Sequence, residues 1–156
     1  MHFTLLVISD MQKVGMRGNK QLDKIMKPFQ VDENGGKWDW YVVGGRFYSS
    51  IHASGGKQVR MIADDEKWYV HEEIRRRNSG FDLALVSDMT SIDPEWWCSV
   101  LLPDGTWHDK ESYVQDESAE YGFRCERNPE WDRFEEMFIE PYRDGVHTAM
   151  VVDYHI

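Results

Sequence analysis

The sequence predicts an α+β fold: a single domain over residues 1–156, with a mainly antiparallel sheet and two or three helices packed on one face. Three observations carry this. Both ends of the chain are apolar, β-rich runs, residues 3–8 and 148–155. Segments with helical spacing separate groups of strands instead of alternating with single ones. The strongest local turn signal, Pro103-Asp104-Gly105, joins two short strands as a hairpin, which is an antiparallel connection. Terminal strands of this kind are candidates for neighbours at the sheet centre, as in ferredoxin-like folds.

The elements follow in order. Residues 3–8 are continuously apolar, which suits a central strand covered on both faces. Asn19 is positioned to cap a helix over 20–27, with Leu22, Ile25, Met26 and Phe29 at helical spacing and Pro28 to end or bend it. Residues 32–36 form a loop. Residues 40–43 read as a strand, Gly44-Gly45 as a turn or bulge, and 46–51 as a second strand. A short strand over 59–62 precedes a helix over 67–77, whose acids lead and whose three arginines trail, as the helix dipole favours. Its stripe is Trp68, His71 and Ile74, and Asn78-Ser79-Gly80 stops it. Strands are expected at 81–86, and at 97–102 and 106–110 around the hairpin turn. Residues 111–128 look irregular and polar. Asn128-Pro129 opens a helix over 129–140, with Trp131, Phe134, Met137 and Phe138 on its buried face. Asp144-Gly145 turns the chain into the last strand.

Charge is unevenly placed. Residues 1–94 balance at 13 acidic and 13 basic side chains, while residues 95–156 hold 15 acidic against 5 basic, the whole net charge of −10. A surface this negative argues against direct binding of a nucleic-acid backbone and is compatible with a basic protein partner, with imitation of nucleic acid, or with solubility alone. Cys98 and Cys125 lack metal-ligand spacing. No apolar run reaches membrane-spanning length and no secretory leader is recognisable, so the expectation is a cytoplasmic protein with no membrane contact. The seven tryptophans, seven tyrosines and seven phenylalanines exceed what a core of this size needs, which leaves rings for a pocket, a partner or a homo-oligomer.

Three patches resemble a family of small bacteriophage and prophage proteins. They are His2-Phe3-Thr4-Leu5-Leu6-Val7-Ile8, the run from Lys37-Trp38-Asp39-Trp40-Tyr41 to Val42-Val43-Gly44-Gly45-Arg46-Phe47, and Thr148 to Ile156 around Val151-Val152-Asp153-Tyr154-His155. Leu102-Pro103-Asp104-Gly105-Thr106-Trp107 adds a weaker similarity. The chain departs from the family pattern at Phe47, where Trp is expected, and at Tyr154, where Cys is common; many relatives also carry an insertion before the middle patch. The resemblance carries over no catalytic residue. It implies a phage context, in which small accessory proteins counter host defence.

The middle patch suits a small anionic or nucleotide-like ligand. Gly44-Gly45 would let backbone N–H groups approach a phosphate. Arg46 would pair with it, and Trp38, Trp40 or Tyr41 would stack on a base. Alternation puts Trp38 and Trp40 on one strand face and Asp39 and Tyr41 on the other. The competing reading is a glycine-hinged hairpin with an Asp39–Arg46 ion pair. If the terminal strands are neighbours, His2, Thr4, Asp153 and His155 converge at one edge, where they could do acid–base work or bind a metal. Chain-end residues satisfied by local hydrogen bonds are the plainer account. His2-Phe3-Thr4 and His52-Ala53-Ser54 also match the His-x-Thr/Ser element of two-histidine phosphoesterases.

The reading that follows is a phage-type counter-defence protein that sequesters a phosphorylated, nucleotide-like molecule without consuming it. It needs no catalytic set and no cofactor. One alternative is an acidic inhibitor that blocks a basic host defence factor or nuclease through its C-terminal surface. Another is a phosphoesterase using His2 and Thr4 with His52 or His155.

Overall fold

The computed structural model describes residues 1–15, 17–59 and 80–156. Its organising pair is β1 (His2–Ser9) and β10 (Thr148–His155), which lie antiparallel in unbroken register from His2 opposite His155 to Ser9 opposite Thr148. Both are almost wholly buried, as their unbroken apolar runs require. On the other side of β1 lies β6 (Ser99–Leu101), parallel to it, then β7 (Trp107–Asp109), antiparallel to β6. The outer edge of β10 is shared. Its second half pairs with β2 (Trp40–Val43) and its first half with β4 (Leu83–Leu85). The result is an α+β fold around a mainly antiparallel six-stranded sheet. The terminal strands are central neighbours, as expected. Two small sheets lie apart: β3 (His52–Ala53) with β5 (Met89–Ser91), and β8 (Glu111–Gln115) with β9 (Phe123–Arg127).

The helical segments are divided between the two faces, not gathered on one. Strand alternation explains why. Leu5, Val7, Met150 and Val152 point to one side, where α1 (Lys20–Met26) adds Leu22 and Met26. Leu6, Ile8, Ala149 and Val151 point to the other, covered by Trp131, Phe134, Phe138 and Ile139. A strand that is apolar at every position needs a cover on each side. Asn19 caps α1 as predicted, its Oδ1 accepting from the Leu22 N–H at 2.8 Å.

The second helical segment is less regular than its sequence pattern. It runs as 3₁₀ turns over Pro129–Arg133, a π-helical stretch over Glu135–Ile139 and a last 3₁₀ turn over Glu140–Tyr142. Trp131, Phe134 and Phe138 meet edge-to-face, with centroids 5.2–5.6 Å apart. The adjacent Phe138 and Ile139, both in the π stretch, are fully buried. Asn128 takes the N-cap position ahead of Pro129, as expected, but its side chain makes no capping bond. Its Nδ2 donates to the Asp109 carbonyl and its Oδ1 accepts from Ser112.

The Pro103-Asp104-Gly105 turn forms as expected, with Gly105 at φ +85° and the Leu102 N–H donating to the Thr106 carbonyl at 3.0 Å. Residues 111–128, expected to be irregular, contain the β8–β9 hairpin. Nearly every residue of it is exposed, so no alternation marks it in the sequence. The expected strand over 46–51 is absent. β2 finds its partner in β10, and the chain then turns away at Gly44 and Gly45. The expected strand over 59–62, from residue 60 on, and the helix over 67–77 lie outside the described residues. Among the described residues no helix is long and apolar enough to cross a membrane.

Candidate functional site

Gly44 and Gly45 are dictated by two buried carboxylates. Gly44 (φ +75°) donates its N–H to the Val151 carbonyl at 2.9 Å, and a Cβ on it would lie 3.0 Å from Asp82 Oδ1. Gly45 (φ +54°) has no room at all: a Cβ there would stand 2.4 Å from Asp153. The chain tightens into a 3₁₀ turn over Gly45–Phe47, and the Arg46 N–H donates to Asp153 Oδ2 at 2.8 Å. The anion held by this turn is therefore the protein's own. Of the backbone N–H groups at this turn, that of Gly44, expected to approach a phosphate, is committed to Val151 and that of Arg46 to Asp153, while the exposed Arg46 side chain, expected to pair with the phosphate, meets no carboxylate among the described residues.

The other oxygen of Asp153 receives His2. Nδ1 of His2 lies 2.8 Å from Oδ1 of Asp153, whose side chain is 1 % exposed. A buried carboxylate already accepting a backbone N–H favours the tautomer with the proton on Nδ1 of the imidazole, and leaves Nε2 as the acceptor. The ring of His2 also meets Trp40 and His155 edge-on, each at 5.2 Å, and Trp40 stacks on His155 at 5.5 Å and 10°. These contacts follow from register: His155 faces His2 across one ladder and Trp40 across the other. Trp40 remains 43 % exposed. His155 is held by Asp39, Nδ1 to Oδ1 at 3.0 Å, and by the Met1 amine at 2.9 Å from Nε2. Against the upward push of desolvation, the His155 hydrogen bond and charge hold the Asp39 carboxyl below its ordinary value. Asp39 thus pairs with His155, not with Arg46.

The structure accordingly brings His2, Asp39, Trp40, Gly45, Asp153, His155 and the backbone of Arg46 together, with Gly44 against Asp82 and Thr4 opposite Asp153 in the ladder, and sends Trp38 and Tyr41 elsewhere. Trp38 is buried on the opposite side of the sheet, its Nε1 donating to the Met26 carbonyl at 2.9 Å. Tyr41 packs edge-on against Trp38 and donates to Asp23 of α1; burial first and that carboxylate second push its hydroxyl pKa well above the usual value. Trp38 and Trp40 do not share a face, because the strand begins only at Trp40 and the chain bends at Asp39. Thr4 is buried and donates to the Trp96 carbonyl at 2.8 Å, with Cys98 Sγ 3.6 Å away. His52 lies on β3 opposite Ser91, among Ile92, Asp93 and Trp96. The histidine beside His2 is His155. Among the described residues no group of three or more His, Cys, Asp or Glu side chains is placed to hold a metal ion.

The same strand ends present a different surface on the opposite face. Phe3 and Tyr154, which alternate with His2 and His155, border an open groove of about 620 Å³ whose floor includes Ser99 and Asp109. Ser99 Oγ donates to Asp109 at 2.8 Å and lies 2.9 Å from the Tyr154 hydroxyl. Burial raises the Tyr154 pKa well above the usual value, so this hydroxyl stays protonated. Sequence reasoning missed the groove, because its lining comes from separate segments; the only signal was the alternation that sets Phe3 and Tyr154 against His2 and His155. No protein-family model, curated protein or solved structure matches the chain.

Proposed function

We propose that this chain captures a small phosphorylated, nucleotide-like ligand at the His2–Trp40–Arg46 corner of its sheet. In that reading it acts as an accessory protein of phage type that removes such a molecule from host defence. One observation carries the reading: the Arg46 backbone and the His2 ring share the two oxygens of Asp153, beside the exposed ring of Trp40. Trp40 offers a face for a base, the Arg46 guanidinium offers a charge-assisted fork to phosphate oxygens, and His2 Nε2 accepts from a ligand hydroxyl or N–H. The glycine turn supports these groups; it does not itself bind the ligand.

The test is mass spectrometry of small molecules released by heat from the purified protein, followed by calorimetric titration of whatever is recovered. Intact ligand is expected from the wild type. Stacking of about 1–3 kcal/mol per base implies a loss of roughly 5- to 150-fold in affinity for Trp40→Ala, with Arg46→Ala comparably weak. Affinity unchanged in both variants overturns the reading.

A second reading, a phosphoesterase, has one observation in its favour: the buried Asp153 orients His2 as a general base would be oriented. It predicts cleaved product in place of intact ligand, and loss of cleavage with retained binding in His2→Gln.

A further inference from the structure

We propose that the β8–β9 hairpin is a docking surface for a basic protein, of the kind whose groove ordinarily holds a nucleic-acid backbone. The hairpin stands outside the main sheet and exposes Tyr113 (81 %), Tyr121 (75 %) and Phe123 (52 %). Register places Tyr113 opposite Cys125 and Gln115 opposite Phe123, so Tyr113 and Phe123 share one face, where their rings meet edge-on at 5.9 Å. Aromatic rings on a fixed backbone are the side chains that anchor interfaces, because little freedom remains to be lost when they are covered. The backbone here is fixed at both ends. At the tip, Asp116 accepts from the Ser118 N–H and hydroxyl, and pairs with Arg124. At the base, Arg127 pairs with Glu95 at 2.6 Å, and the Asn128 N–H donates to the Lys110 carbonyl at 2.8 Å.

Charge selects the occupant. Residues 111–136 hold nine acidic side chains and three arginines. Each arginine is already paired within the chain: Arg124 with Asp116 and Glu126, Arg127 with Glu95 and Asp132, Arg133 with Glu136. Glu117, Glu120 and Glu130 meet no basic side chain among the described residues. A second copy of this chain would set like charges against each other, and nucleic acid or anionic lipid would be repelled. A Lys/Arg-lined protein surface fits, with the aromatic face entering between its cations.

The test immobilises the full chain and loads the heparin-retained fraction of a bacterial lysate, then elutes with duplex DNA. Expected is a discrete protein released by the DNA. Its yield should fall at least tenfold on a Tyr113→Ser/Phe123→Ser column and on a Glu117→Lys/Glu120→Lys/Glu130→Lys column. The substituted residues are exposed, Glu130 in part, and an unchanged melting curve for each variant confirms that the chain still folds. No retained protein, or retention indifferent to both variants, overturns the proposal. So does a dimer in light scattering that the aromatic variant abolishes, which would assign the face to a second copy.

Discussion

At the residue scale, the Gly45–Asp153 contact accounts for the Gly-Gly pair better than a ligand does. Gly45→Ala must both enter a left-handed backbone region and push Asp153 aside. Strain and overpacking together cost about 2 kcal/mol or more, read as a lower urea midpoint with an unchanged slope. Asp153→Asn is expected to cost about 1–3 kcal/mol. Its amide leaves one oxygen to serve two donors, the Arg46 N–H and His2 Nδ1, so one of them faces an NH₂ group. The NMR readout is a changed tautomer signature or a broadened ring for His2; an unaltered His2 ring would mean that Asp153 does not orient it. Part of this site was legible in the sequence. His2, Asp153 and His155 follow from alternation in two terminal strands that proved adjacent. Trp38 was placed on the wrong face because a bend at Asp39 ends the alternation; Thr4 does lie opposite Asp153, but no local pattern says that a carbonyl 92 positions away takes its hydroxyl. Nor does any local signal say that Gly45 makes room for a carboxylate more than 100 residues on.

At the element scale, the buried rings of residues 129–142 hold one face of the sheet. Phe138→Ala is expected to cost about 3–5 kcal/mol, because Phe138 is fully buried between Trp131 and Phe134. The sequence revealed this buried set but not the π turn, since the apolar spacing reads as an ordinary α-helix. The β8–β9 hairpin was invisible for the opposite reason, since exposure on both faces erases the pattern. Its base depends on Glu95, whose hydrogen bonds from Arg127 and then Lys110 lower its pKa from 4.5 to about 2. A carboxyl depressed in the folded state stabilises fully above its unfolded pKa and loses that contribution as pH falls towards the folded value. The melting-temperature gap between wild type and Glu95→Gln is therefore expected to be constant above pH 4.5 and to close as pH falls towards 2. A gap that widens on acidification would contradict the assignment.

At the scale of the whole molecule, β10 unites the sheet, pairing with β1 along one edge and with β2 and β4 along the other. Truncation before Thr148 removes the partner of three strands, so the shortened chain is expected to show no cooperative melting transition by circular dichroism. The adjacency of the terminal strands was legible in their matching apolar runs. The parallel placement of β6 beside β1 was not, because it depends on how the intervening chain crosses the sheet. The topology also has a meaning in time. β1 is the first of the described strands to leave the ribosome and β10 the last, and at about 5–20 residues per second their separation corresponds to a wait on the order of ten seconds. Throughout it Leu5, Leu6, Val7 and Ile8 form a sticky segment lacking the neighbour that will cover its edge. A nascent chain of this design is a natural client for chaperones, and a message cut short before β10 would yield material for proteases, not a weakened version of the protein.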